Sequence, residues 1–155
     1  KDILKNEFDI VFTSYGTISW LPDLNKWADI VQHFLKPNGK FIFVEFHPLI
    51  RVFDDKLEKV SYNYFNVEPI IEIEEGTYAD KSANIIQKYV CFNHGLAEVF
   101  NALKDSSLKI SSFEEYDYSP YSIFSEMQEI EKGKFQIKKF SNKLPLVYSL
   151  VAQKS

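Results

Sequence analysis

An α/β fold built on a largely parallel sheet is what this sequence predicts, on three observations. Phe8 to Thr13 (FDIVFT) and Lys40 to Phe46 (KFIFVEF) are short apolar, β-favouring runs without the alternation of half-exposed strands, the pattern of strands buried on both faces. Between them Leu24, Trp27, Ala28, Val31, Phe34 and Leu35 recur at i, i+3, i+4 and i+7, which is one face of an amphipathic helix. Strand, helix and strand within about forty residues make a right-handed βαβ unit.

The elements follow in order. After a turn over 14–22, Asp23 supplies an N-cap for the helix, and Pro37 and Gly39 end it. Pro48 stops the second strand. Two extended stretches over 69–79 and 83–92, rich in tyrosine and glutamate, read as an antiparallel excursion laid over the sheet. Asn93 precedes a second helix with Leu96, Val99, Phe100 and Leu103 on one side. Leu108 to Tyr118 and Leu144 to Gln153 are the last strands expected. Between them 119–142, broken by Pro120 and Gly133, brings Tyr121, Phe124, Met127, Ile130, Phe135 and Phe140 together as an aromatic cover. The whole is one domain, with 49–92 and 119–142 inserted as a lid.

Composition sets limits on function. The chain has 155 residues, 18 basic and 22 acidic side chains, and a net charge of −4. A phosphate-backbone binder needs clustered Lys and Arg, so nucleic acid is not the expected partner. No apolar run approaches the roughly 18 residues of a membrane span, and KDILKNEFD lacks the order of a signal peptide. Cys91 stands alone, which rules out an intrachain disulfide, suggests a reducing, cytoplasmic setting, and reads as a small buried residue. No His, Cys and Asp spacing suggests a metal. The five glycines never come within fifteen residues of each other, so a glycine-rich phosphate cradle is absent. Aromatics make up 16 % of the chain, enough to line an apolar cavity as well as a core.

Ligands of open α/β sheets bind beyond the carboxyl ends of the strands. After the first strand comes Thr13-Ser14-Tyr15-Gly16, with two hydroxyls, a ring and a residue permitting close backbone approach. After the second comes Glu45-Phe46-His47-Pro48, which brings an imidazole to the same edge. On residue types alone, Ser14 and Gly16 equally well turn the chain and His47 equally well caps a strand.

The order of these residues resembles a specific family. FDIVFTSYGTISWLPDLNKWADIVQHFLKPNGKFIFVEFHP is similar to the fourth strand, following helix and fifth strand of class I S-adenosylmethionine-dependent methyltransferases. NHGLAEVFNAL resembles their next helix, LKISSFEEYDYSP their sixth strand, and LPLVYSLVAQKS their closing antiparallel strand. The SYG loop, WLPDL and NHGLAEVFNAL resemble a bacterial small-molecule branch. The resemblance implies a Rossmann-like sheet in which this chain supplies strands 4-5-7-6 of the order 3-2-1-4-5-7-6. It also implies a glycine-rich first loop and an acidic second-strand end, neither of which occurs here. The expectation is therefore a carboxyl-terminal portion of a longer enzyme, inactive alone. Its Phe8 to Thr13 edge would be free to pair with another chain, by dimerisation or strand exchange.

The same resemblance implies S-adenosyl-L-methionine as cofactor and a small molecule as methyl acceptor. Thr13, Ser14 and Tyr15 would meet the methionine and sulfonium end. Tyr15 or Trp20 would face the cation, Trp20 being equally well a plug between loop and helix. His47 is the best-placed base if the acceptor must lose a proton, Tyr15 joins it as catalytic candidate, and His94 is a second candidate or a helix cap. Tyr62, Tyr64, Tyr118 and Tyr121 are candidates to line the acceptor pocket with His94, packing being the alternative for each. Trp27 reads as core and His33 as surface. The competing class is a non-catalytic, aromatic-rich α+β module that binds an apolar ligand or a partner.

Overall fold

The computed structural model describes residues 7–76 and 82–155. In chain order the elements are β1 (Phe8–Thr13), α1 (Leu24–Phe34), β2 (Leu35–Phe46), β3 (Ile70–Glu75), β4 (Ile86–Cys91), α2 (Leu96–Asp105), β5 (Leu108–Tyr116), β6 (Met127–Glu131), β7 (Lys134–Ile137) and β8 (Val147–Lys154). The central sheet has the order β1-β2-β8-β5. β1 and β2 are parallel, and β8 runs antiparallel between β2 and β5, which is the expected 4-5-7-6 arrangement with a reversed last strand.

Local chemistry explains the first unit. The Asp23 carboxylate accepts the Lys26 amide at 3.1 Å and caps α1, whose buried residues Leu24, Trp27, Ala28 and Val31 follow the expected stripe. The helix stops at Phe34, and Leu35, expected as its last apolar residue, is already extended at φ −83° and ψ 137°. Pro37 explains this, because it lacks an amide donor and disfavours helical geometry just before it. The chain then loops out over Lys36 to Gly39, between the pairs Phe8↔Leu35 and Ile10↔Lys40. At Gly39 a Cβ would lie 2.9 Å from the Lys36 carbonyl and 3.1 Å from that of Phe8, so only glycine fits the bend.

Two cores hold the molecule. In the first, Phe41 and Phe43 of β2 and Tyr148 and Leu150 of β8 lie beneath α1 and α2. Trp27 packs on Phe41 and Phe43 at centroid distances of 5.5 and 5.2 Å, so it is core as expected. Each such ring contributes about 1.5–3 kcal/mol by leaving water. The second core joins the segments after β2 and before β8, through buried Ile50, Leu57, Ile137 and Leu146 with Phe124, Met127 and Phe140 against them. The His47 amide donates to the Leu146 carbonyl at 2.9 Å, and the Leu146 amide to that of Tyr116 at 2.7 Å. The cover is thereby laced to the sheet.

Some expectations change. β1 is not buried on both faces: with β2 as its one strand neighbour among the described residues, Val11 packs toward the helices while Ile10 and Phe12 are 57 % and 59 % exposed. β3 and β4 pair antiparallel as expected, but Ile71, Ile73, Ile86 and Val90 remain exposed. Residues 77–79 of the expected first stretch lie outside the described residues. The aromatic cover contains a hairpin, β6 and β7, turning at Gly133. The closing strand begins at Val147, beyond Pro145. No helix among the described residues is long and apolar enough to cross a membrane.

Candidate functional site

The loop after β1 is shaped by a residue of the next strand. Glu45 is buried at the end of β2, and its carboxylate accepts the backbone amides of Gly16, Ile18 (3.3 Å) and Phe46 (2.8 Å). Burial pushes its pKa up, against the pull of those three amides and of Arg51. The Thr17 hydroxyl donates to the Ser14 carbonyl at 2.7 Å and the Ser19 hydroxyl to that of Gly16 at 3.0 Å. Gly16, at φ +73°, makes the turn that this closure requires. Ser14 is left exposed and Thr13 half-buried at the carboxyl end of the strand.

Aromatic rings stand over this loop. Tyr15 lies 5.4 Å from Phe46 and 5.8 Å edge-on from Tyr121, while Phe46 and Tyr121 meet edge-on at 5.8 Å. Tyr118 packs on Tyr116 at 5.5 Å. With Ile42, Val44 and Pro120, Tyr15 and Tyr118 line a cavity of about 400 Å³ against the sheet. Burial raises the Tyr15 phenol, and Tyr118, Tyr116 and Glu45 raise it further, so Tyr15 stays protonated at neutral pH.

The histidines are engaged elsewhere. His47 is buried; its Nδ1 accepts the Leu49 amide at 3.1 Å and its Nε2 lies 2.8 Å from Glu115 Oε1, where it donates. Burial lowers its pKa, Glu115 opposing. The neutral Nε2–H tautomer satisfies both bonds and leaves no lone pair for an incoming proton. His94, also buried, donates from Nε2 to the Leu21 carbonyl at 2.8 Å, and its Nδ1 meets Glu98 at 2.9 Å. Trp20 is 57 % exposed with its ring 6.0 Å from Tyr89, beside β4 rather than between loop and helix.

Of the residues singled out in the sequence, Thr13, Ser14, Tyr15, Tyr118 and Tyr121 therefore gather at one place, and His47, His94 and Trp20 do not join them. Tyr62 donates to Glu72 at 2.7 Å, which pushes its pKa up to about 12, and the Tyr64 hydroxyl accepts the Leu96 amide at 3.3 Å. Sequence reasoning missed Glu45, Arg51 and Asn93. The signals were there: a carboxylate inside an apolar strand, and the one arginine in the sequence. Both line a narrow cavity of about 10 Å³ with Ser19, Asn93 and His94. Arg51 Nε and Asn93 Oδ1 are buried without a hydrogen-bond partner among the described residues. No group of three or more His, Cys, Asp or Glu among those residues is placed to hold a metal ion.

No family model and no curated protein matches the chain. Solved structures do. The chain superposes on a protein from Listeria monocytogenes assigned to the S-adenosylmethionine-dependent methyltransferases, with a TM-score of 0.59 and 13 % identity over 97 % of this chain and 62 % of that one. The fold is that of the class I methyltransferases. An S-adenosylmethionine-dependent methyltransferase from Clostridium acetobutylicum matches with a TM-score of 0.53 and 15 % identity, covering 98 % of this chain and 60 % of its own. Geranyl diphosphate C-methyltransferase from Streptomyces coelicolor, solved with Mg2+, geranyl diphosphate and S-adenosyl-L-homocysteine, matches with a TM-score of 0.52 and 13 % identity over 98 % and 50 %. The chain thus spans less than two thirds of each of these methyltransferases. In the methyltransferase sheet its β1 and β2 are the pair whose carboxyl ends carry Tyr15 and Glu45.

Proposed function

We propose that this chain is the carboxyl-terminal portion of an enzyme that transfers a methyl group from S-adenosyl-L-methionine to a small-molecule acceptor. The observation that carries the reading is the β1 loop, closed by the Glu45 carboxylate at the carboxyl end of a sheet with the methyltransferase fold. The residues present fit the methionine end of the cofactor: Thr13 and Ser14 sit at the strand end, and Tyr15 offers a neutral ring beside them. The cofactor supplies an electrophilic methyl, and most of the acceleration of such an in-line displacement comes from alignment. Tyr15, Phe46 and Tyr121 hold the acceptor side dry and fix the angle of approach. Tyr15 acts as an orienting phenol. His47 is a positioning residue, its two ring nitrogens fixing the 47–49 turn against β5.

Calorimetry tests this on a longer chain carrying the sequence encoded upstream of Lys1. Saturable binding of S-adenosyl-L-methionine, lost on Glu45→Ala and retained on His47→Gln, is the expected result, and no binding in the longer chain overturns it. For the 155-residue chain by itself, without the longer enzyme's preceding strands, we also propose that the bare edge of β1, with Phe8, Ile10 and Phe12 exposed, pairs with a second copy. Sedimentation showing only monomer at micromolar concentration would refute that pairing.

A further inference from the structure

We propose that Arg51 binds a carboxylate on the methyl acceptor, which makes the substrate class small monoanionic acids; this rests on the methyltransferase reading above. Arg51 sits in the short turn Ile50–Val52 directly after β2, on the side of the sheet end where the cover begins. The turn is fixed: Ile50 and Val52 are buried, and the Ile50 amide donates to the His47 carbonyl at 3.1 Å. The guanidinium on this rigid mount forms no ion pair with any described carboxylate. Its hydrogen-bond contact among the described residues is Nη2 to the Cys91 sulfur at 3.8 Å, and its Nε is buried with no partner there. A half-buried guanidinium with unspent donors is costly unless an acceptor arrives. Its planar fork matches a carboxylate through two parallel bonds.

A cavity lies beside it. Arg51 lines a cavity of about 180 Å³ whose wall includes Ile50, Phe53, Ile70 and Phe124. That equals about six liquid waters at roughly 30 Å³ each, room for a single-ring acid. Two carboxylates, Asp55 and Glu72, share the rim. Glu72 is held by the Tyr62 hydroxyl at 2.7 Å. Their repulsion opposes any anion and a phosphate dianion most, so a monoanion is the form whose bonds to the guanidinium fork can outweigh it. Arg51 also lines the cavity of about 10 Å³ bordered by Glu45 and Phe46, which places its guanidinium between the larger cavity and the loop that Glu45 shapes.

Phenylacetate and its neutral isostere phenylacetamide are the probes, titrated into the 155-residue chain and followed by calorimetry and by the amide shifts of Ile50 and Phe124. The expected result is that the acid binds roughly tenfold more tightly than the amide, the difference between charge-assisted and neutral hydrogen bonds. Arg51→Gln should bring the two to equal affinity and Arg51→Lys should retain only part of the preference. Equal affinity in the unaltered chain, or binding of neither probe, overturns the proposal, and this ligand-side comparison stands even where a variant fails to fold. S-adenosyl-L-homocysteine is titrated into the longer chain in parallel. If Arg51→Gln weakens it and spares phenylacetate, the arginine belongs to the cofactor and the proposal falls. If it fails to bind while phenylacetate still discriminates through Arg51, the methyltransferase reading falls and the acid site remains.

Discussion

The two faces of the central sheet are made by the same strands, yet their environments are opposite. On one face Phe41, Phe43, Tyr148, Leu150 and Ala152 are sealed beneath α1 and α2. On the other, Phe12, Ile42 and Val151 form a row across three strands, and Phe12 stays 59 % exposed while Ile42 and Val151 are half-buried. Both rows are apolar, so hydrophobicity does not distinguish them. What differs is the partner: a face is core only where another element of the chain covers it.

The comparison is most sharply tested by truncating one ring on each face. Phe43→Ala should cost about 3–5 kcal/mol in urea unfolding, because a fully buried ring leaves a cavity. Next in size is Glu45→Ala, which strips the acceptor from three amides and should cost about 2–3 kcal/mol. Hydrogen exchange at Gly16 and Ile18 should accelerate with it, while exchange in β5 stays slow.

A smaller effect depends on pH. His47 has a lowered pKa in the fold, so below its ordinary value of 6.5 the unfolded chain holds more protons than the folded one. Stability should therefore fall as pH drops from neutral, by less than about 1.4 kcal/mol per pH unit for one proton. His47→Gln should flatten that slope in denaturation series from pH 7.5 to 5.5; an unchanged slope would place the proton elsewhere. Smallest is Phe12→Ala, expected within about 0.5 kcal/mol, as for exposed positions. A loss near that of Phe43→Ala would show that the bare face is covered in solution.

Much of the fold was legible because it follows periodicity and punctuation. The stripe from Leu24 to Val31, the Asp23 cap and the break at Pro37 are local signals, and each is realised within a residue or two. The burial of Phe8 to Thr13 was not legible, since an unbroken apolar run looks the same with one neighbouring strand as with two. The grouping of the candidate residues was half legible. Tyr15, Tyr118 and Tyr121 sit on segments the sequence marked as strand ends and cover, and the sheet order brings them together. His47 drew attention by its chemistry, but its lone pair is spent on the Leu49 amide, a bond between near neighbours that depends on turn geometry. Glu45 acts on Gly16 across 29 positions, a pairing set by strand register.

That clamp bears on how such a site changes over generations. Glu45 grips peptide amides, which every residue but proline provides, and it asks nothing of the side chains at Ser14, Tyr15 or Thr17. The loop's path is thus set mainly by Glu45 and Gly16, and the side chains at 14 and 15 vary independently of it. Substitutions at 14 and 15 can change the side chains this loop presents without touching the bonds to Glu45, whereas Thr17 also ties the Ser14 carbonyl. Randomising 14 and 15 while keeping Gly16, Thr17 and Glu45 would vary the loop's surface at a constant backbone path.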